Sequence, residues 1–145
     1  MTHRAESIMV AVKAAVDGLL TTGGRVERSR VYSVADDGVP ALTIEKGADD
    51  VIEGSQNIAF IDRLLTVKIT AHIKTTGTYE TDLNQIANEV YVAMMAADDL
   101  GLSFVQSVTP LGDDEPEANA ANKDTGRMEM RFSIHYRHAL KDPGS

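Results

Sequence analysis

Two stretches of the sequence alternate strictly between apolar and polar side chains, and they constrain the fold more than any other feature. In residues 65–73 the apolar side chains occupy the odd positions, and in residues 128–136 they occupy the even positions. Successive side chains of a β-strand point to opposite faces of its sheet. Each stretch is therefore predicted to be a strand with one buried face and one face that is either solvated or covered by a partner.

The spacing of apolar residues also predicts two amphipathic helices. The first is predicted within residues 5–20. Gly18, followed by Gly23-Gly24, is expected to stop it. The second lies near residues 81–97 and ends at Gly101, which places Asp98 and Asp99 at its C-terminal end. Their predicted buried stripes are Ile8, Val12, Ala15, Val16 and Leu19, and Leu83, Ile86, Ala87, Val90, Met94 and Ala97.

The remaining segments complete a predicted α+β domain. Short strands are expected at 31–34, 41–45 and 102–109, and acidic loops at 47–54 and 110–125. Residues 139–145 are predicted to be a flexible tail. The order of elements favours a mostly antiparallel sheet with two helices packed on one face and long acidic loops, in a single domain spanning 1–145.

Composition argues against several classes of partner. The formal net charge of −8 disfavours binding to nucleic acid or to an anionic membrane, because both require clustered positive charge. The absence of Cys excludes thiol chemistry. No stretch of 18 apolar residues is present, and the first residues lack the apolar region of a signal peptide, so we expect a protein of the cytoplasm with no membrane partner.

No constellation of residues predicts catalysis, a metal or a cofactor. Gly23-Gly24 is followed by Arg25 and does not open a phosphate-binding loop. His135 and His138 are three apart on a predicted strand, so they face opposite ways and do not form a metal site. The Asp pairs at 36–37, 49–50, 98–99 and 113–114 are typical of turns and loops. One enzymatic alternative stays open, in which Asp49, Asp50 or Glu53 acts with His72 in acid–base catalysis.

Charged side chains instead supply candidates for contact with other proteins. Arg25, Arg28 and Arg30 form a basic cluster that is expected to meet acidic loops of a neighbouring subunit. The predicted loops 47–54 and 112–124 are the other candidate contacts. The full set of candidate interface residues is Arg25, Arg28, Arg30, Asp49, Asp50, Glu53, Lys68, Arg131, Asp113, Asp114 and Glu115.

The order of these elements over residues 5–138 resembles the tail terminator proteins of long, non-contractile-tailed bacteriophages. The matching pieces are the first helix running into the segment 20–26 and then Ser29-Arg30, the segments 40–44 and 64–69, the helix start at 81–90, and the strand 126–136 after an acidic loop. None of these motifs is catalytic, and the resemblance depends on their order and spacing.

The resemblance implies a structural protein of the virion, located at the neck end of the tail and assembled in the host cytoplasm. Copies would form a homo-oligomeric ring, usually a hexamer, that caps the finished tube and stops polymerisation of the major tail tube protein. The ring would contact head–tail connector and other neck proteins, and DNA would pass through its lumen without specific binding. Another neck component, a connector adaptor or stopper, is the alternative.

Overall fold

The folded elements follow one another in an order that matches the sequence pattern. The computed structural model describes residues 2–28, 39–54, 59–74, 78–118 and 125–145. Within these ranges the elements are α1 (Arg4–Val16), β1 (Val26–Arg28), β2 (Ala41–Val51), β3 (Phe60–Lys74), α2 (Tyr79–Met94), β4 (Val105–Asp113), β5 (Glu117–Ala118) and β6 (Thr125–Ala139).

The strands form one sheet in the order β1-β2-β3-β6-β4, and β5 also pairs with β6. β1 and β2 are parallel, and the other neighbours are antiparallel. The two alternating stretches lie in β3 and β6, which pair along their whole length from Phe60↔Ala139 to Lys74↔Thr125. The strongest sequence signal therefore forms the centre of the sheet.

The core lies between the two helices and one face of the sheet. The odd positions of β3 from Leu65 to Ile73 and the even positions of β6 from Met128 to Tyr136 are buried. The helices contribute Ala5, Ile8, Met9, Val12 and Val16 from α1, and Leu83, Ile86, Val90 and Met94 from α2. The predicted α+β class, with a mostly antiparallel sheet and both helices on one face, is confirmed.

Two predicted loops are wrong, because the chain continues as strand through acidic residues. β2 extends to Val51, so residues 47–51 are strand and only the end of the predicted loop 47–54 is a turn. β4 extends through Pro110 to Asp113, and β5 follows inside the predicted loop 110–125, of which residues 119–124 lie outside the described residues. Pairing with the long β3 and β6 outweighs the weak strand propensity of Asp and Gly.

Other boundaries also differ from the prediction. Residues 26–28 form β1, a strand that the sequence pattern did not predict, and α2 ends at Met94, so Asp98 and Asp99 lie beyond the helix. The Asp99 side chain accepts a hydrogen bond from the Gly101 backbone N–H at 2.9 Å. The predicted strand 31–34 lies outside the described residues. Residues 139–145, predicted as a tail, fold back so that Pro143 O accepts a hydrogen bond from Arg4 N at 2.9 Å.

An irregularity in β2 sets the direction in which Asp49 points. The register with β3 shifts between Lys46 and Asp49. A bulge places two residues opposite one and thereby changes which face the following side chains occupy. A Cβ on Gly47 would lie 3.0 Å from the backbone O of Thr66, inside the sheet.

Replacing Gly47 by alanine is therefore expected to destabilise the fold by about 1 kcal/mol or more, because the backbone of β3 cannot move aside without strain. The measurement is the free energy of unfolding from urea denaturation. Gly24→Ala is the matched control, since its Cβ would meet only the Asp17 side chain at an ordinary 3.6 Å. Equal stability of the two variants would contradict the close approach of Gly47 to Thr66.

Candidate protein-interaction surface

The sheet face opposite the helices, called here the open face, carries the polar side chains of the two central strands. It consists of the even positions of β3 from Asp62 to Lys74 and the odd positions of β6 from Arg127 to Arg137, which lie side by side. No helix among the described elements packs on it, since the buried helix residues join the core on the other face. The predicted uncovered face is therefore present as far as the described helices are concerned.

One end of the open face is organised around Asp62. Arg137 donates from Nε to Asp62 Oδ1 at 2.7 Å and from Nη2 to Oδ2 at 3.2 Å. His135 Nε2 lies 3.5 Å from Asp62 Oδ2, and the Arg137 guanidinium stacks over the Phe60 ring at 4.0 Å. Asp62 is 7% exposed as a result. Asp62 was not among the predicted interface residues, because it lies three residues before the alternating stretch 65–73 from which this strand was predicted.

The middle of the open face is organised around Arg131. Its Nη1 donates to Asp114 Oδ1 at 2.6 Å and to Glu129 Oε2 at 3.1 Å. Lys68 is the cross-strand neighbour of Arg131 on one side and of Glu45 on the other. Lys68, Arg131 and Asp114, which were predicted separately, thus belong to one region of alternating charge.

The predicted basic cluster is partly engaged within the chain. Arg28 donates from Nη1 and Nη2 to the two carboxylate oxygens of Glu6 on α1, at 2.6 and 2.9 Å. This bidentate hydrogen bonding holds the pKa of Glu6 below its usual value. Arg25 donates to the backbone oxygens of Pro40 and Thr21 and remains exposed. Arg30 lies outside the described residues.

Asp49, Asp50 and Glu53, the candidate acidic residues in the first half of the chain, lie in different environments. Asp49 points to the core side, where its carboxylate oxygens lie 2.8 and 3.0 Å from the Tyr136 hydroxyl, which donates to it. The Asp49 side chain is 10% exposed and has Arg63 at 3.9 Å. Asp50 and Glu53 are exposed. Asp49 and Asp50 differ because successive strand residues face opposite sides of the sheet, and the register shift in β2 determines that Asp49 is the one that faces the core.

The acidity of the protein is concentrated in one part of the chain. Residues 78–118 contain nine acidic side chains and no Lys, Arg or His, whereas the chain as a whole has a net charge of −8. This segment comprises α2, the following turns, the edge strand β4 and β5. Its acidic residues are Glu80, Asp82, Glu89, Asp98, Asp99, Asp113, Asp114, Glu115 and Glu117. The rest of the chain is close to neutral, and the open face carries five basic side chains against two acidic ones.

Glu89 is the member of this acidic segment that holds the α1–β1 connection in place. Thr21 donates to it from its backbone N at 2.8 Å and from its hydroxyl. Burial alone would raise the pKa of Glu89, but these hydrogen bonds outweigh it and the pKa is lowered. The contact joins α2 to the turn that leads into β1.

The enzymatic alternative required His72 to lie near Asp49, Asp50 or Glu53. In the sheet, His72 pairs with Ala41, while Asp49 pairs with Leu65. Seven residues of strand separate the two positions, roughly 23 Å at about 3.3 Å per residue. His72 instead lies 2.9 Å from the Thr43 hydroxyl. These residues therefore cannot act together.

The described residues also bear on two other possibilities, a metal site and a membrane-spanning helix. His138 is buried on the core side and accepts a hydrogen bond from Arg63 Nε at 2.8 Å, whereas His135 lies on the open face, so the predicted opposite orientation is confirmed. Across the ranges given above, no group of three His, Asp or Glu side chains could hold a metal ion. None of the helices in those ranges has the length and apolarity needed to cross a membrane.

The Asp62 cluster predicts a specific pH dependence of stability. The hydrogen bonds from Arg137 lower the pKa of Asp62, and burial opposes this effect less strongly. Because the folded-state pKa lies below the unfolded one, the contribution is present above about pH 4 and is lost as the pH falls through the folded-state value. We expect Asp62→Asn to lower the urea midpoint at pH 7 and to lose less stability than wild type between pH 7 and pH 3. If Asp62→Asn and wild type lost the same stability between pH 7 and pH 3, the stabilising role of the Asp62 carboxylate would be contradicted.

Comparison with known proteins shows that this fold is shared with solved structures. No family model and no curated protein matches the chain. The described elements define a small α+β domain with two helices on one face of a mostly antiparallel sheet, and this fold occurs among solved structures. One such match is a chain described as "Virion of native gene transfer agent (GTA) particle", with 16% sequence identity, a TM-score of 0.56, and coverage of 88% of this chain and 84% of that chain.

Proposed function

We propose that this chain is a structural protein of a phage-like virion, and more specifically a tail terminator subunit. In this role, copies form a ring that caps the tail tube, stops polymerisation of the major tail tube protein and provides the surface to which the neck of the head attaches. The fold shared with a chain from a gene transfer agent virion over nearly its whole length supports the virion assignment. The tail terminator role is proposed from the order and spacing of the elements over residues 5–138.

The charged surfaces are consistent with an assembly protein. The open face pairs Arg137 with Asp62 and Arg131 with Glu129, and its other charged side chains are basic, so it suits a partner with an acidic surface. Glu80, Asp82 and Asp98, on α2 and in the turns after it, supply exposed negative charge on a different part of the surface. Facing the lumen of a ring, such a surface would repel DNA phosphates and let DNA pass without specific binding.

A tube-capping assay tests the proposal. Purified chain is added to polymerising tail tube protein, and tube lengths are measured by negative-stain electron microscopy. We expect the chain to bind tube ends and to stop elongation. The alternative, a connector adaptor or stopper, predicts binding to the head connector with tube growth unchanged. Binding to neither would contradict both assignments.

A further inference from the structure

The two edges of the sheet carry patches of complementary character. β1 and β4 are the edge strands of the described sheet. The turn that enters β1 exposes Leu20 and Arg25, called here the β1-entry patch, and Leu20 is 92% exposed. β4 and the residue pair after it expose Leu111, Asp113 and Glu115, called the β4-edge patch. Each patch therefore combines an exposed leucine with charge of one sign.

The β1-entry patch is held in place by hydrogen bonds on both sides of Leu20. Gly18 N donates to Gly23 O at 2.9 Å and Gly23 N donates to Leu19 O at 2.8 Å. Thr21 N donates to Glu89 on α2 at 2.8 Å, and Arg25 Nε donates to Pro40 O at 2.7 Å. A preformed turn loses little conformational entropy on docking, so an apolar side chain presented on it is suited to binding.

The β4-edge patch is arranged for contact through side chains. Asp114 is paired with Arg131, but no ion pair joins Asp113 or Glu115 to any residue in the part of the chain that the structure describes. Pro110 has no N–H to donate, and the β4 register shifts on both sides of it, between Val105 and Ser107 and between Pro110 and Gly112. Such irregularities hinder the addition of another strand at this edge.

We propose that copies of this chain associate head to tail, with the β1-entry patch of one copy docked on the β4-edge patch of the next. Leu20 packs against Leu111, and Arg25 lies against Asp113 and Glu115. Contacts between two different patches generate a ring when the rotation closes. This inference rests on the proposed ring and assigns the surfaces that form it.

The test measures self-association of the purified full-length chain by light scattering coupled to size-exclusion chromatography. We expect a salt-sensitive oligomer that weakens between about 0.05 M and about 0.5 M salt, because exposed charges are screened. Asp113→Arg combined with Glu115→Arg should weaken association roughly tenfold or more, and so should Leu20→Ser. Adding Arg25→Glu to the double reversal should restore part of the loss.

Matched variants separate the patches from general effects of charge and polarity. Glu80→Arg combined with Asp98→Arg makes the same change in net charge elsewhere in the acidic segment, and Val10→Ser replaces another exposed apolar side chain, on α1. Both should associate like wild type. An oligomer that survives the β4-edge reversal and Leu20→Ser would overturn the inference and leave the proposed ring standing. A wild-type chain that stays monomeric at every concentration and salt would contradict both.

Discussion

Leu65→Ala is expected to lower the free energy of unfolding by about 2–5 kcal/mol, whereas Leu64→Ala should change it by less than about 1 kcal/mol. Leu65 is fully buried between the sheet and the helices, and Leu64, its neighbour in β3, is 41% exposed on the open face. The same chemical change is thus made on opposite faces of one strand. The difference arises because only Leu65→Ala leaves a cavity in the core.

Urea denaturation of both variants and wild type measures this difference. Similar m-values for the three proteins would show that the surface exposed on unfolding is unchanged, so that the comparison concerns the folded state. A loss at Leu64 as large as that at Leu65 would mean that the open face is covered by the chain itself. The one-sided sheet, and with it a face available to partners, would then be wrong.

Tyr136→Phe is expected to cost about 1–3 kcal/mol, because it removes the hydroxyl that donates to the Asp49 carboxylate and leaves a largely buried acceptor without that partner. Burial, followed by the hydrogen bond to Asp49, raises the pKa of Tyr136. A raised folded-state pKa contributes stability that is present below about pH 10 and is lost as the pH rises through the folded-state value. The variant should therefore lose less stability than wild type at alkaline pH.

Tyr91→Phe on α2 is the control for this prediction, because Tyr91 is 49% exposed. It should leave both the urea midpoint and its alkaline dependence unchanged. If Tyr136→Phe were as stable as wild type, the contact between the bulged end of β2 and β6 would contribute nothing to the fold.

Sequence periodicity predicted the parts of the fold that bury apolar side chains. The alternation in β3 and β6 and the helical stripes around Ile8 and Ile86 reflect burial against the core, which constrains each position along the element. Strands that extend beyond the core could not be predicted in this way. β2 continues through Asp49 and Asp50, and β4 through Gly112 and Asp113, because the backbones of β3 and β6 offer hydrogen-bonding partners that the local residues do not reveal.

The sequence predicted which side chains share the open face, but it did not predict the residues with which the candidate side chains form hydrogen bonds. The even and odd positions of the central strands identified Lys68 and Arg131 as residues of one face. The partners of Arg28 and Asp49 depend on contacts between elements distant in sequence, Glu6 on α1 and Tyr136 on β6. The roles of the candidate residues in contacts between subunits remain predictions that the self-association measurements address.

The length distribution of tails in particles assembled without this chain tests the proposed function most directly. Deleting the gene and imaging the particles by negative-stain electron microscopy should show tails that exceed the wild-type length and vary widely, because tube polymerisation has no terminator. Complementation with the wild-type gene should restore a single length. Tails of normal length beside unjoined heads would contradict the terminator assignment and favour an adaptor, and intact particles would contradict a role in assembly.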